Sequence, residues 1–203
     1  MKRIPKEVFE NAMSYQEFFN MVDTMAEEGG TTGEMIEGHV TATKMNAHRM
    51  KRVEKTTILD EEMSEKLKGY GPGLKFLIIA ESWCGDAGQN VPSMAVMSRA
   101  CNCVDIRVIM RDEHLDIMDQ FLTNGGRSIP IMLLLDADYN VLGKWGPRPR
   151  VIQERVMKNK ETQEFTGSEM NTEIQRWYAK DKGLSLQTEI IEMLESALGK
   201  VES

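Results

Sequence analysis

A cysteine can serve as a nucleophile, a metal ligand or half of a disulfide, and its surroundings select among these roles. Cys84 stands in the run Trp83-Cys84-Gly85-Asp86, between the apolar stretch Phe76 to Ala80 and a helical stretch that starts at Ala87. A thiol at a strand-to-helix junction faces unsatisfied backbone N–H groups and the positive end of the helix dipole. Both favour the thiolate, which is the nucleophilic form. The bland alternative is a small apolar side chain that caps the core, because free cysteine is commonly buried. Asp86 pulls in two directions. An acid in the first helical turn stabilises the helix, while its charge raises the pKa of a thiol beside it.

The other two cysteines, Cys101 and Cys103, lie at the far end of that helical stretch. At ~1.5 Å per residue, Cys101 is ~25 Å from Cys84 along the helix, and a disulfide needs Cα atoms within ~7 Å. Neither is placed to resolve a mixed disulfide on Cys84. The reading is that Cys103 is core at a strand start and Cys101 a loop thiol, with a strained Cys101–Cys103 bridge as the alternative. His39, His48 and His114 have no metal-ligand spacing with the cysteines, so no metal and no cofactor are expected. Asp136, Asp138 and Asn140 begin like a calcium loop, but Val141 replaces the glycine at the sixth position and Pro147 the glutamate at the twelfth. Arg148 and Arg150 read as a basic spot in an exposed, proline-rich turn.

The elements that must position Cys84 follow from periodicity. The first ~70 residues read as helices. Ser14 and Glu17 form a capping box ahead of Tyr15, Phe18, Phe19, Val22 and Met25, and Gly29-Gly30 stops that helix. A second helix covers roughly 39–55, with Ala42, Met45, Arg49 and Val53 on one face. A third runs from Asp60 as N-cap to Gly69. Residues 70–73, with two glycines and a proline, break the pattern. The run from Phe76 to Ala80 suits a strand buried on both faces. A helix with Pro92 inside it, a strand over 104–110, a helix over 113–122 closed by Asn124-Gly125, and a hairpin of 131–135 and 141–145 follow. Beyond about Val151 the chain is helical and charged, with Ile190, Ile191, Leu194 and Leu198 as an apolar stripe. The order predicts an α/β fold, with a mixed sheet flanked by helices. Residues 1–72 form a helical extension packed on the core, and residues 73–203 the main domain with C-terminal helices.

Composition bounds the function. The chain has 203 residues, 41% hydrophobic and 28% charged, which is enough for a packed core. The net charge of −7 argues against nucleic acid or an anionic membrane surface as the main partner. No apolar run approaches the ~18 residues of a membrane span. Lys2 and Arg3 have no apolar segment behind them, so no export signal and a cytoplasmic location are expected. Three cysteines are too few, and too odd in number, for a disulfide framework. Sixteen methionines at helical spacings read as adaptable core packing.

The strand, Trp-Cys-Gly, proline-kinked helix and later Ile129-Pro130 together resemble the thioredoxin superfamily. The order of elements from Lys75 to Trp145 matches that fold. Pro92 falls eight residues after Cys84, where the family places its kinking proline. The whole chain is similar to one bacterial branch with an N-terminal helical extension and segments like Asn124 to Pro130, Trp145 to Pro149 and Trp177 to Gly183. The resemblance implies a thioredoxin-like fold and a cis-proline at Pro130 facing the active cysteine. It implies a groove where Trp83, Gly85, Asp86, Arg127, Ile129 and Pro130 meet an extended peptide or thiol substrate.

Three departures matter. The second cysteine of the family's Cys-x-x-Cys motif is Ala87. The buried acid six residues before the active cysteine is Ile78; Glu81, closer in sequence, could serve in its place, with a solvated loop glutamate as the favoured reading. Asp86 adds a charge beside the thiol, which Arg127 could offset if it pairs with Asp86 or supports the thiolate; a solvated loop arginine is the other reading. The resulting expectation is a thiol-disulfide oxidoreductase with Cys84 as its one catalytic cysteine. It would act on a protein disulfide or low-molecular-weight thiol, with an external thiol resolving the intermediate. The alternatives are a non-catalytic thioredoxin-fold binding module and a thiol redox sensor. No sequence feature sets an oligomeric state.

Overall fold

The computed structural model describes residues 2–70, 73–102 and 104–199. In chain order the elements are α1 (Lys6–Asn11), β1 (Met13–Ser14), α2 (Tyr15–Glu28), α3 (Glu37–Thr56), α4 (Glu61–Gly69), β2 (Leu74–Ala80), α5 (Ala87–Cys101) and β3 (Val104–Met110). After a short 3-10 turn come α6 (Leu115–Met118), β4 (Ile131–Leu135), β5 (Val141–Trp145), α7 (Arg150–Thr162), α8 (Gly167–Asp181) and α9 (Leu184–Leu198). The residues at the expected breaker, Gly71 and Pro72, lie outside the described residues, and so does Cys103.

The five strands form one mixed sheet in the order β1-β3-β2-β4-β5. β2 and β3 are parallel and joined through α5, while β2–β4, β4–β5 and β1–β3 are antiparallel. The sheet is therefore α/β and mixed. β2 lies at its centre, and Phe76 to Ala80 are all buried, as an uninterrupted apolar run requires. Helices cover both faces. Phe18, Val22, Met50 and Leu67 join β2 and β4 in one apolar core, together with Leu186, Ile190 and Leu194 of α9. Ile152, Met170, Ile174 and Tyr178 make a smaller cluster between α7 and α8.

Local signals explain several helix ends. Ser14 accepts from the Glu17 N–H while the Glu17 carboxylate accepts from the Ser14 N–H, closing the capping box of α2. Gly29 ends α2 in the left-handed region, at φ 77°. Asp60 caps α4 by accepting from the Met63 N–H at 3.1 Å.

Three expectations change. The two-residue β1, too short to show a period, adds an edge strand beside β3. The helix expected over 113–122 contracts to α6, and the carbonyls of Phe121 and Leu122 accept from Lys144 Nζ instead of continuing a helix. The buried face of α3 is Thr43, Asn46, Ala47, Met50 and Val53, with Met45 left 44% exposed. Apolar periodicity missed that face because two of its members are polar and bonded to the loop that carries Cys84.

Candidate functional site

The loop from β2 to α5 is fixed before Cys84 is reached. Ser82 Oγ accepts the Thr32 N–H at 2.9 Å, and the Ser82 N–H returns a bond to Thr32 Oγ1 at 2.9 Å. Thr43 and Ser82 share a hydroxyl contact at 2.9 Å, and Asn46 Nδ2 donates to the Ser82 carbonyl at 2.7 Å. Thr31, Thr32, Thr43, Asn46 and Ser82 are all buried. A satisfied polar knot of this kind holds one backbone path. The Trp83 ring stacks on the His39 ring at 4.3 Å between centroids, and the Arg111 guanidinium lies 5.0 Å from the Trp83 ring centre.

Glu81 is not the solvated loop residue its sequence position suggests. It is 1% exposed and accepts the Asp112 N–H at 2.9 Å. Burial pushes its carboxyl above the ordinary range, against the pull of its donors.

Cys84 is a free thiol and 6% exposed. Its Sγ donates to the Ile129 carbonyl at 3.3 Å and accepts the Ala87 N–H at 3.4 Å. The Ile129–Pro130 peptide is cis. The thiol thus lies between the first turn of α5 and the segment that opens β4. Its pKa is pushed up to about 12, first by burial and second by the Asp86 charge. The Ala87 N–H and Arg148 oppose that rise and are outweighed. The expectation that a helix start would favour the thiolate is not met, because desolvation exceeds what the first-turn amides return.

Asp86 is buried, and its partner is Arg148, at 2.7 Å. The Tyr178 hydroxyl donates to Asp86 Oδ1 at 3.0 Å, and Asn90 Nδ2 bridges the Tyr178 hydroxyl and the Asp86 carbonyl, both at 2.9 Å. Burial still holds the Asp86 carboxyl above its ordinary value, with Arg148 and Tyr178 pulling the other way. Arg127 neither pairs with Asp86 nor reaches the thiol, and of its two readings the surface one agrees with the structure. It forms a two-pronged pair with Asp119, at 2.6 and 2.9 Å, on the surface. The cation that meets Asp86 is Arg148, from the turn that read as an exposed basic spot. That turn is pressed against the cis-proline segment: Gly146 has φ 117°, and a Cβ there would run into the Pro130 carbonyl oxygen.

The site also has a roof. A Cβ on Gly85 would lie 3.4 Å from both Arg49 Nη1 of α3 and Gln175 Nε2 of α8. Gly88 abuts Asn46, whose Oδ1 would be 2.9 Å from a Cβ. Helices α3 and α8, outside the central βαβ unit, thus supply side chains that border the loop carrying Cys84. Arg148 and Tyr178 fall inside segments that carry the family resemblance, but nothing local assigns a role to them or to Asn46 and Arg49, since their contacts run across tens of residues in sequence.

At the other end of α5, Cys101 is disulfide-bonded, which overturns its reading as a loop thiol. The companion reading of Cys103 as strand-start core falls outside the described residues. Among the described residues, no group of three His, Cys, Asp or Glu is placed to hold a metal ion. No described helix is long and apolar enough to cross a membrane.

A family model described as thioredoxin matches residues 33–166, more than half of the chain. The chain belongs to the thioredoxin family. The matched span begins ahead of α3 and ends at Thr166, the N-cap of α8, so it takes in the sheet strands β2 to β5 and the thiol loop. The thioredoxin-like chain is also similar in structure to a crystal structure of a protein of unknown function from Pseudomonas aeruginosa. They are 18% identical with a TM-score of 0.67, covering 97% of this chain and 99% of that one. A crystal structure of an HIV epitope-scaffold gives 18% identity and a TM-score of 0.64, covering 94% and 97%. At such identity these neighbours speak for the thioredoxin-like fold alone. No curated protein matches the chain.

Proposed function

We propose that this thioredoxin-family chain carries out thiol–disulfide exchange through one cysteine, Cys84. The observation that carries the reading is the position of Sγ, within 3.4 Å of the Ala87 N–H and 3.3 Å of the Ile129 carbonyl. A sulfur held between a helix start and an extended backbone segment can attack a disulfide laid along that segment. Ala87 supplies no second thiol, so the mixed disulfide on Cys84 waits for an external thiol. Its substrate is a protein disulfide or a low-molecular-weight thiol adduct. Trp83, Gly85, Asp86, Ile129 and Pro130 border the sulfur and form the groove in this reading. Arg127 is left out of it, because its guanidinium is taken by Asp119.

The closed site holds Cys84 protonated at neutral pH, since burial and Asp86 both disfavour the thiolate. Exchange then requires the sulfur to be uncovered enough to lift the burial penalty, together with Arg148 acting on it more strongly than on Asp86, or Asp86 losing its charge. The same raised thiol favours a second reading, a binding module that keeps the groove without turnover. Hydroxyethyl disulfide, which carries no charge, separates the two. Under the exchange reading the reduced protein gains one hydroxyethylthiol adduct by intact mass, at Cys84, and a Cys84→Ser protein gains none there. An unmodified Cys84 in the native protein at pH 8, with alkylation restored only on unfolding, leaves the binding module as the reading.

A further inference from the structure

Between α3 and α8 lies an open groove of about 600 Å³ whose lining includes Arg49, Arg52, Arg176, His48, Gln89 and Gln175, and no carboxylate. That volume is within the range of small-molecule sites. One end abuts the thiol loop, because Arg49 and Gln175 are the two side chains that face Gly85, the residue after Cys84. The cations are only partly compensated. Arg49 donates to the amide oxygen of Asn46 at 2.7 Å and Arg52 to that of Gln89 at 3.2 Å, so both hydrogen bonds go to neutral groups. Arg176 alone of the three has a carboxylate of its own helix, Glu173, at 2.8 Å. Asp86 is near Arg49 but is held by Arg148 and does not line the groove. Burial and then the neighbouring Arg52 lower the pKa of Arg49, with Asp86 pulling the other way. This concentration of positive charge sits on a chain whose net charge is −7.

We propose that the groove between α3 and α8 binds the carboxylates of a small anionic disulfide and delivers its sulfur atoms to Cys84. This rests on the exchange reading above and names its substrate class. Guanidinium groups match carboxylates in shape and in hydrogen-bond geometry, and two of them side by side prefer a ligand with more than one negative charge. The step is an exchange. The Cys84 thiolate attacks one sulfur of the disulfide, a Cys84–sulfur bond forms, and the substrate S–S bond breaks. The departing thiolate takes up the proton that Cys84 released. The substrate disulfide is the oxidant, so no other co-reactant is needed.

Three small disulfides of similar size test the groove: dithiodipropionate, which is anionic, hydroxyethyl disulfide, which is neutral, and cystamine, which is cationic. The rate of adduct formation at Cys84 is read by intact mass at low ionic strength. The expected order is anionic, neutral, cationic, with about tenfold between the first and the last. The bulk charge of the protein would give the reverse order. In the double variant Arg49→Gln, Arg52→Gln the anionic-to-cationic ratio falls to one or below. Equal rates in the native protein, or a ratio that survives the double substitution, overturns the proposal. Calorimetry on Cys84→Ser with dithiodipropionate reads the groove without chemistry. Heat of binding that is absent with cystamine, and absent after the double substitution, supports it; no binding, or equal binding of both, overturns it. If none of the three disulfides reacts with the native protein, the exchange reading fails, and the calorimetry still decides whether the groove takes anions.

Discussion

Two arginine–aspartate pairs, chemically alike, sit in different places and do different things. Arg127 and Asp119 meet at the surface, with side chains 47% and 48% exposed. Arg148 and Asp86 meet at 2.7 Å with side chains 22% and 10% exposed, next to the thiol. The exposed pair has the better fork geometry, with two bonds at 2.6 and 2.9 Å. It is still the less consequential, because water on every side screens it. The covered pair acts on Cys84 through a medium that screens poorly, and each partner would be costly alone. Proximity in sequence to Pro130 pointed to Arg127. Burial makes Arg148 the cation that counts.

The sharpest way to break this contrast is Arg148→Ala. Removing one partner of a buried pair typically costs about 3–5 kcal/mol, here because Asp86 is left with the hydroxyl of Tyr178, the amide of Asn90 and only the more distant charge of Arg49. Urea melts should show that loss at pH 8 and a smaller one at pH 5. The sign follows from Asp86: without its cation, burial raises its pKa further, so the folded state takes up a proton as pH falls and recovers part of the loss. The thiol should also move up, since Arg148 is one of the groups that hold it down. A melt that shifts by less than about 1 kcal/mol at both pH values would place this pair in the same class as the surface one.

Asp86→Asn tests the other half of the pair. Asparagine keeps an oxygen for the Tyr178 hydroxyl and drops the charge. Arg148 then faces Cys84 without its counter-ion. The Cys84 thiol, pushed up to about 12 in the native protein, should come down by about one to three pH units, the usual reach of one nearby charge. Alkylation of Cys84 at pH 7, followed by mass spectrometry, should speed up correspondingly. Stability carries the same signature. A thiol whose pKa is raised from 9.0 to about 12 on folding adds stability that is complete below pH 9 and lost as pH rises toward 12. In Asp86→Asn that window narrows from its upper end. An unchanged alkylation profile would mean that burial alone sets the thiol, and that Asp86 serves only to pair with Arg148.

The same two pairs mark how far the sequence could be read. β2 was legible because five consecutive apolar residues fit only a strand covered on both faces, and the α2 capping box was legible because its partners are three residues apart. Cys84, Ile129 and Pro130 were legible as a group through a family pattern. What escaped was long-range and polar. Tyr178 reaches Asp86 across ninety-two residues, and Asn46 reaches Ser82 across thirty-six. Neither contact leaves a local period. Thr43 and Asn46 inverted the apparent face of α3, since a hydrogen-bonded polar residue buries as readily as an apolar one. Glu81 was misjudged for the same reason: loop position suggests water, but the Asp112 N–H and the polar knot around Ser82 enclose it. The net effect of the helix start on Cys84 could not be read from the motif either. The motif shows the first-turn amides, and not the helices that cover them.

Arg127→Ala carries the smallest expected effect and makes the cleanest control. The variant removes a two-pronged ion pair at 2.6 and 2.9 Å, which looks stronger on geometry than the Arg148 contact. Exposure predicts no shift of the urea midpoint beyond the scatter of the melt, and any residual shift should vanish in high salt as screening removes what Coulomb attraction remains. Cys84 should alkylate with the native pH profile, because no Arg127 charge acts on it. A profile that shifts would mean that the Asp119–Arg127 pair opens in solution and that Arg127 visits the thiol. Arg127 would then belong with the groove residues from which its contact with Asp119 excludes it. A profile that stays fixed, beside a moving one in Asp86→Asn, leaves the charge of Cys84 governed by the covered pair.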